Sequence, residues 1–409
     1  MPHPDPKAPP AVIWGLGLTQ VVGYGTLFYS FPILAPAIAA EFAVPEHLAF
    51  AALSAALFFG SLFAPLAGRL ADRHGAGRVM TAGSAVAALA LVACALAPGR
   101  ASFVIALLAM EFAACFVLYS TAFVAIVQTG TAGAQRSITL LTLIAGFAST
   151  LFWPLTSALH AALTWREVYL VFAGMNLMLC LPVHGWIARL ARRQALAAPK
   201  PVAGTAGTAD GIGLAPVRLR AVFLLMLGGF AFAGFVQAAI LLHMVPLLTG
   251  MGLGTAGVLV STFFGPAQVA SRLINMVFGG RLRQSWLAIL AGLFLTSGVV
   301  LLAIAAPSVP GIAAAVILFG LGSGLFSIVG GTLPLEVFGR ASYGAHVGWM
   351  SAARQFSTAI APFAFALVLA RASPLTALAM VAVAGAVAVA GYCAVALLAR
   401  KPRQAAPPA

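Results

Sequence analysis

Long apolar runs alternate with short polar gaps along almost the whole chain. A run of about 20 apolar residues is long enough to cross the hydrocarbon core of a bilayer as an α-helix. Twelve such runs can be marked, at 11–39, 48–68, 78–98, 101–128, 137–162, 167–190, 219–248, 255–279, 285–306, 309–333, 343–370 and 373–399. They use up nearly all of the 409 residues, and no sizeable soluble domain fits in what is left. The pattern predicts an all-α, multi-pass integral membrane protein with twelve transmembrane helices. Residues 1–10 and 401–409 are expected to be disordered tails. Residues 191–217, rich in Ala, Gly, Thr and Pro, are expected to be a flexible linker between two six-helix bundles at 11–190 and 218–400.

Composition agrees with this reading. Hydrophobic residues make up 62% of the chain and charged residues only 7%, against roughly 25% charged in soluble domains. The net charge of +14 does not indicate a nucleic-acid partner, because the basic residues sit at the ends of apolar runs and not on one soluble face. Sorting the gaps alternately puts 17 basic residues on one side and only Arg100, Arg166 and Arg371 on the other. By the positive-inside rule both termini are cytoplasmic, and the expected location is the cytoplasmic (inner) membrane. The cysteines Cys94, Cys115, Cys180 and Cys393 are scattered singly through apolar runs, so neither a disulfide framework nor a metal site is expected. Ala37-Ile38-Ala39 faintly resembles a signal-peptidase site, but the run before it is too long for a cleaved signal.

The two halves of the pattern repeat each other. Ser149-Thr150-x-x-x-Pro154 in the fifth run recurs as Ser357-Thr358-x-x-x-Pro362 in the eleventh. Gly68-Arg69-Leu70 at the end of the second recurs as Gly280-Arg281-Leu282 at the end of the eighth. Pro32 in the first matches Pro246 in the seventh. Repeats in this order are the signature of transporters whose two bundles rock about a central site. No G-x-x-x-x-G-K-[ST] string occurs and the chain has only three lysines, which excludes a nucleotide-driven pump carrying its own ATP site. No cofactor is expected.

Between the second and third runs lies Gly68-Arg69-Leu70-Ala71-Asp72-Arg73-His74-Gly75-Ala76-Gly77-Arg78. Its small residues let helix ends approach, Asp72 can cap or pair across the loop, and its arginines hold the loop at the membrane surface. The string resembles the signature loop G-x-L-A-D-R-x-G-x-x-R of the major facilitator superfamily. That resemblance implies the major facilitator fold, alternating access, a single chain as the working unit, and a gate built from Gly68, Asp72, Arg73, Gly75 and Arg78. The second-half copy lacks the Asp-Arg pair, so a symmetric second gate is not implied. Thr164-Trp165-Arg166, His243-Met244-Val245-Pro246-Leu247-Leu248 and Gly331-Thr332-Leu333-Pro334-Leu335 are similar to strings of the bacterial monocarboxylate and oxalate–formate antiporter branch.

Three charges lie deep inside the apolar runs. At 1.5 Å per residue, Glu111 is ~15 Å into the fourth span, Arg272 ~12 Å from the end of the eighth and Arg354 ~16 Å into the eleventh. Such depth costs at least ~2.5–3.5 kcal/mol per charge and marks a wet cavity or a partner. Aligning the repeats sets Arg354 opposite Gly146 and Arg272 opposite Gly60, so the scaffold itself does not demand an arginine at either position. Two guanidinium groups at similar depth match a carboxylate, which points to an anion site. A salt bridge from either arginine to Glu111 is the structural alternative. The oxalate–formate resemblance adds that carboxylates are held there by basic residues on helices eight and eleven. A lysine is usual on helix eleven in that branch, so the substrate need not be oxalate. Glu111 is the candidate proton-coupling group or a static counter-ion. Gln20, Tyr24, Tyr29, Gln237 and His243 are further candidate substrate contacts, with Ser323, Phe28 and Trp153 nearby in the pattern. The expectation is a secondary active transporter moving a small organic anion, a carboxylate first among them. The alternative is a proton-coupled efflux pump for drugs or other toxic compounds. The partners are the substrate, the bilayer and, in a coupled cycle, protons.

Overall fold

A computed structural model of the chain describes residues 8–130, 133–197, 211–212, 214–253, 255–279 and 282–399. Residues 1–7 of the expected N-terminal tail, the whole expected tail at 401–409 with residue 400 before it, most of the linker (198–210) and the Gly280-Arg281 pair lie outside the described residues. Among the described residues the chain is helical throughout, as hydrocarbon requires of any backbone that must satisfy its own polar groups. Eleven spans are continuous or nearly so: Pro10–Glu41, Glu46–His74, Ala76–Ala95, Arg100–Thr129, Ala134–Ala162, Trp165–Gln194, Pro216–Leu248, Gln284–Ala305, Val309–Phe338, Tyr343–Arg371 and Pro374–Leu398. The eighth expected span is present as two shorter helices, Thr255–Ser261 and Phe264–Phe278, parted at Thr262-Phe263. The sixth span's helix runs on to Ala197, into the stretch expected to be linker. At the other end, Ala8 is buried against Gly130 and Pro10 opens the first helix, so residues 8–10 are ordered.

Each half has its own apolar core. One is built on Phe31, Leu107, Val168 and Phe172, the other on Phe230, Leu295, Phe319 and Tyr392. A smaller cluster joins them, in which Phe123, Ile138 and Leu141 of the first half meet Tyr343 and Val347 at the start of span eleven. The repeat is visible in single hydrogen bonds. The amide of Ala76, opening span three, donates to Gln128 Oε1 at the end of span four (2.8 Å). The amide of Gln284, opening span nine, donates to Glu336 Oε2 at the end of span ten (2.6 Å). The two pairs are separated in sequence by the same interval as the Ser-Thr-x-x-x-Pro strings. Both cap a helix N-terminus, where backbone amides have no partner within the helix.

The face away from the termini is clamped in the first half by the Thr164-Trp165-Arg166 string. Thr164 and Glu167 form a reciprocal cap. Arg166 binds Glu41 as an ion pair (2.7 Å) and donates to the Ala95 carbonyl, while the Trp165 indole N–H donates to Glu41. That string therefore ties spans one, three and six together.

Several spans are interrupted near mid-length. Span one passes through a π-helical stretch at Gly25–Tyr29. Span four breaks at Leu118, which is extended (φ −85°, ψ −167°). Span five turns at Gly146-Phe147 between two helices. Breaks of this kind inside a membrane are tolerated where protein or a cavity surrounds the freed backbone, and they often mark binding sites.

Candidate functional site

The interruptions of spans one and four place a cluster of aromatic side chains at mid-membrane in the first half. The π-helical stretch carries Phe28 and Tyr29, whose rings meet edge to face at 5.3 Å. Tyr29 also meets Trp153 of span five edge to face at 6.1 Å. The break at Leu118 releases Tyr119, whose ring lies 4.8 Å from Tyr24 and stacks on Phe123 (5.2 Å, 10°). The break also frees the Val117 carbonyl. Gln20, fully buried, donates its Nε2–H to that carbonyl at 2.8 Å. The Gln20 amide nitrogen is thus engaged in holding span one to the interrupted span four.

The second half supplies the cations. Arg272 is only 4% exposed. Its Nε–H donates to Ser327 Oγ of span ten (3.1 Å) and its Nη1–H donates across to the Thr142 carbonyl of span five (2.8 Å). Thr142 lies in the last turn of the first helix of span five, and Gly146 follows one turn later as its C-cap. A Cβ at Gly146 would stand on Arg272 Nη1. One turn before Arg272, Gln268 donates Nε2–H to Ser323 Oγ (2.9 Å), and Gln237 of span seven donates to the same oxygen. Gln268 and Arg272 on span eight therefore pair in register with Ser323 and Ser327 on span ten.

Arg354 is half-buried on span eleven and packs against Gly234 of span seven, where any Cβ would meet its Cγ and carbonyl. Both guanidinium groups lie within electrostatic range of the Tyr29 and Tyr119 phenols, and Arg354 also of Tyr24. Both arginines thus lie near one aromatic cluster contributed by the other half. Among the described residues no carboxylate reaches either of them, the ion pair present being Arg166–Glu41.

Glu111 stands elsewhere. It is 6% exposed inside the first half, with Gly60 packed on its backbone and Cys94, Cys115 and Tyr169 as its electrostatic neighbours. Its Oε1 and the Tyr169 hydroxyl have no hydrogen-bond partner among the described residues. The salt bridge to the arginines weighed from the sequence is not formed. His243 donates Nδ1–H to the Ala239 carbonyl (3.0 Å) and stacks on Phe365 (4.9 Å), both partners in the second half.

The loop after span two meets span eleven. Gly75 ends span two at φ +89°, a left-handed backbone that glycine adopts without strain. One turn earlier, Asp72 accepts the amides of Gly344 (Oδ1, 2.8 Å) and Ala345 (Oδ2, 2.8 Å), the first turn of span eleven. A carboxylate on a helix N-terminus meets both unpaired amides and the positive end of the helix dipole. Gly68 makes the approach possible, since a Cβ there would stand on the Gly344 carbonyl. Gln128 braces the same loop through Ala71 and Ala76. Arg73 and Arg78 are exposed on this face and donate no hydrogen bond among the described residues.

Tyr119, Gln268, Ser327 and the Thr142 carbonyl were not legible as site groups in the sequence. A tyrosine in an apolar run looks like any core aromatic. Gln268 alone carried a signal, lying one turn from Arg272 on the same helical face.

The fold has solved counterparts. The crystal structure of the human organic anion transporter MFSD10 (TETRAN) superposes with a TM-score of 0.67 at 16% identity, covering 95% of this chain and 100% of that one. FucP, a transporter crystallised in the outward conformation, gives 0.67 at 15% identity, covering 92% and 97%. The proton:xylose symporter XylE bound to 6-bromo-6-deoxy-D-glucose gives 0.69 at 14% identity, covering 92% and 94%. At these identities the likeness is one of fold. No curated protein sequence matches the chain. The family model for the Major Facilitator Superfamily matches residues 16–286, about two thirds of the sequence, and with the twelve-span architecture it makes this chain a member of the major facilitator superfamily and a secondary transporter, not an enzyme.

Proposed function

We propose that the substrate is a small organic anion, a carboxylate in the first instance, bound between Arg272 and Arg354 against the Tyr24, Tyr29 and Tyr119 cluster. One observation carries the reading. Two guanidinium groups deep within spans eight and eleven lie in electrostatic range of the same Tyr29 and Tyr119 phenols, and among the described residues neither forms an ion pair with a carboxylate. Each such charge is expensive in a membrane, and an anionic ligand offsets the cost. Arg272 and Arg354 lie on spans eight and eleven, consistent with the monocarboxylate and oxalate–formate antiporter branch. Among proteins of the same fold, MFSD10 is described as an organic anion transporter.

The cycle we infer is alternating access. With the termini placed in the cytoplasm, as the charge asymmetry suggests, the Asp72 contact and the cluster around Tyr343 would act as the cytoplasmic gate in its closed position. Breaking them while the opposite ends close would pass the anion inward or outward. Proton coupling, where it operates, falls to Glu111, a deep carboxyl apart from the arginines whose Oε1 has no hydrogen-bond partner among the described residues. The alternative, a proton-coupled efflux pump for drugs or other toxic compounds, fits less well, because two arginines lie near the aromatic cluster and Glu111 lies away from it within the first half.

Reconstitution into liposomes tests the reading. Uptake of labelled small carboxylates is expected to fall at least tenfold in Arg272→Ala and in Arg354→Ala. Glu111→Gln is expected to leave carboxylate exchange intact and to remove proton movement driven by substrate. Export of a cationic dye that depends on Glu111 and ignores both arginines would replace this reading with the efflux one.

A further inference from the structure

We propose that a groove on the termini side, between the starts of spans seven and eleven and the end of span ten, binds one anionic phospholipid from the adjoining leaflet. The groove encloses about 270 Å³ and is lined by Leu219, Arg220, Phe223, Phe338, His346 and Trp349. Its walls are aromatic. His346 stacks flat on Phe338 at 4.0 Å (8°) and meets Phe223 edge to face at 5.9 Å. The His346 Nδ1–H is engaged by the Ser342 carbonyl (2.8 Å), which fixes the ring in that stack and turns its other nitrogen to the opposite edge.

Three features select a lipid over a soluble ligand. The first is a polarity gradient along the groove. Arg220 stands one turn into span seven, while Trp349 stands six residues into span eleven, roughly 9 Å along its axis. Counted from the two helix starts, the Cα of the indole residue is about half a turn deeper than that of the arginine, whose long side chain can reach back toward the helix end. A cation above an indole matches a headgroup phosphate above the first acyl carbons, the level at which tryptophan concentrates in membrane proteins. The second is lateral opening. Trp349 is 45% exposed, and Val217 and Leu224, flanking the groove on span seven, are 80% and 65% exposed. Apolar surface of that extent at the end of a transmembrane helix faces acyl chains. The third is charge. Arg220 is exposed, has no partner among the described residues, and no acidic side chain lines the groove. Basic pockets between helices at the membrane surface take anionic headgroups. The groove adjoins the gate, since Ala345 lines it and also donates its amide to Asp72.

Native mass spectrometry of the full-length protein, delipidated and then offered phosphatidylglycerol or phosphatidylcholine, tests the assignment. The wild type is expected to retain one phosphatidylglycerol in preference to phosphatidylcholine. Arg220→Ala is expected to lower that retention about fivefold, in line with about 1 kcal/mol per surface cation, at unchanged melting temperature. Arg220→Lys should restore most of it. Arg218→Ala, an exposed arginine two residues away and outside the groove, should leave it unchanged. Equal retention of phosphatidylglycerol in wild type and Arg220→Ala overturns the proposal. So does equal retention of the two lipids by the wild type, or no retention at all, as when a protein segment covers the groove.

Discussion

Gly146 and Arg272 share one space: the guanidinium Nη1 of Arg272 occupies the position a Cβ at residue 146 would take, and from there it donates to the Thr142 carbonyl at 2.8 Å. The arginine of the second half is thus seated in the interrupted span five of the first. Gly146→Ala is expected to push the guanidinium off that carbonyl. The lost bond is one to a charged group, worth about 1.5–3 kcal/mol. Melting temperature should fall, and carboxylate uptake in liposomes should drop at least tenfold although residue 146 bears no functional group. Unchanged uptake in Gly146→Ala would mean that the position of Arg272 is not critical.

The Asp72 carboxylate joins the halves through two amide bonds to Gly344 and Ala345. In Asp72→Asn the side-chain oxygen can accept one of them and carries no charge. A loss of about 2 kcal/mol follows from charge-assisted bonding at a helix N-terminus, which shifts the closed–open balance roughly thirtyfold toward opening. Spin labels on cysteines replacing Arg78 and Arg220, both exposed on that face, should show a longer distance population in Asp72→Asn. An unaltered distance distribution would show that the contact does not hold the gate.

His184 links three spans within the first half. The Thr19 hydroxyl donates to the Leu16 carbonyl (3.0 Å), so its oxygen is left to accept from His184 Nε2–H (3.0 Å). Nδ1 must then accept from the Ser84 hydroxyl (2.7 Å), which fixes a neutral tautomer with every member satisfied. His184→Leu strands the buried Ser84 hydroxyl and should cost about 1–3 kcal/mol. A lower melting temperature with unchanged carboxylate KM in the surviving protein is the expected outcome. A raised KM with full stability would instead move His184 into the transport site.

The fold was largely readable because its signal is one-dimensional. Apolar run length follows from bilayer thickness, and the Ser-Thr-x-x-x-Pro strings pair spans that the Gln128–Ala76 and Glu336–Gln284 bonds pair again in space. The depth of Arg272 and Arg354 could also be counted along the helices. What could not be read was which way each deep residue turns. Glu111 is as deep as the arginines but faces its own bundle, and Gln20 is engaged by a backbone carbonyl that is free only because span four breaks at Leu118. The split in span eight, by contrast, has a cause in the sequence: Pro266 carries no N–H for the Thr262 carbonyl and follows Gly265, and the helix parts at Thr262-Phe263. Gly146 is the repeat mate of Arg354, yet it is Arg272 that it accommodates.

Equilibrium binding measures most directly whether the two guanidinium groups form one anion site. Labelled mono- and dicarboxylates would be titrated against purified wild type, Arg272→Gln and Arg354→Gln. The prediction is one carboxylate bound per wild-type chain and at least a thirtyfold weaker affinity in each variant, in line with 2–5 kcal/mol for losing one partner of a buried charged pair. Carboxylate binding of wild-type strength in both variants, or a wild type that binds organic cations in preference, would contradict it.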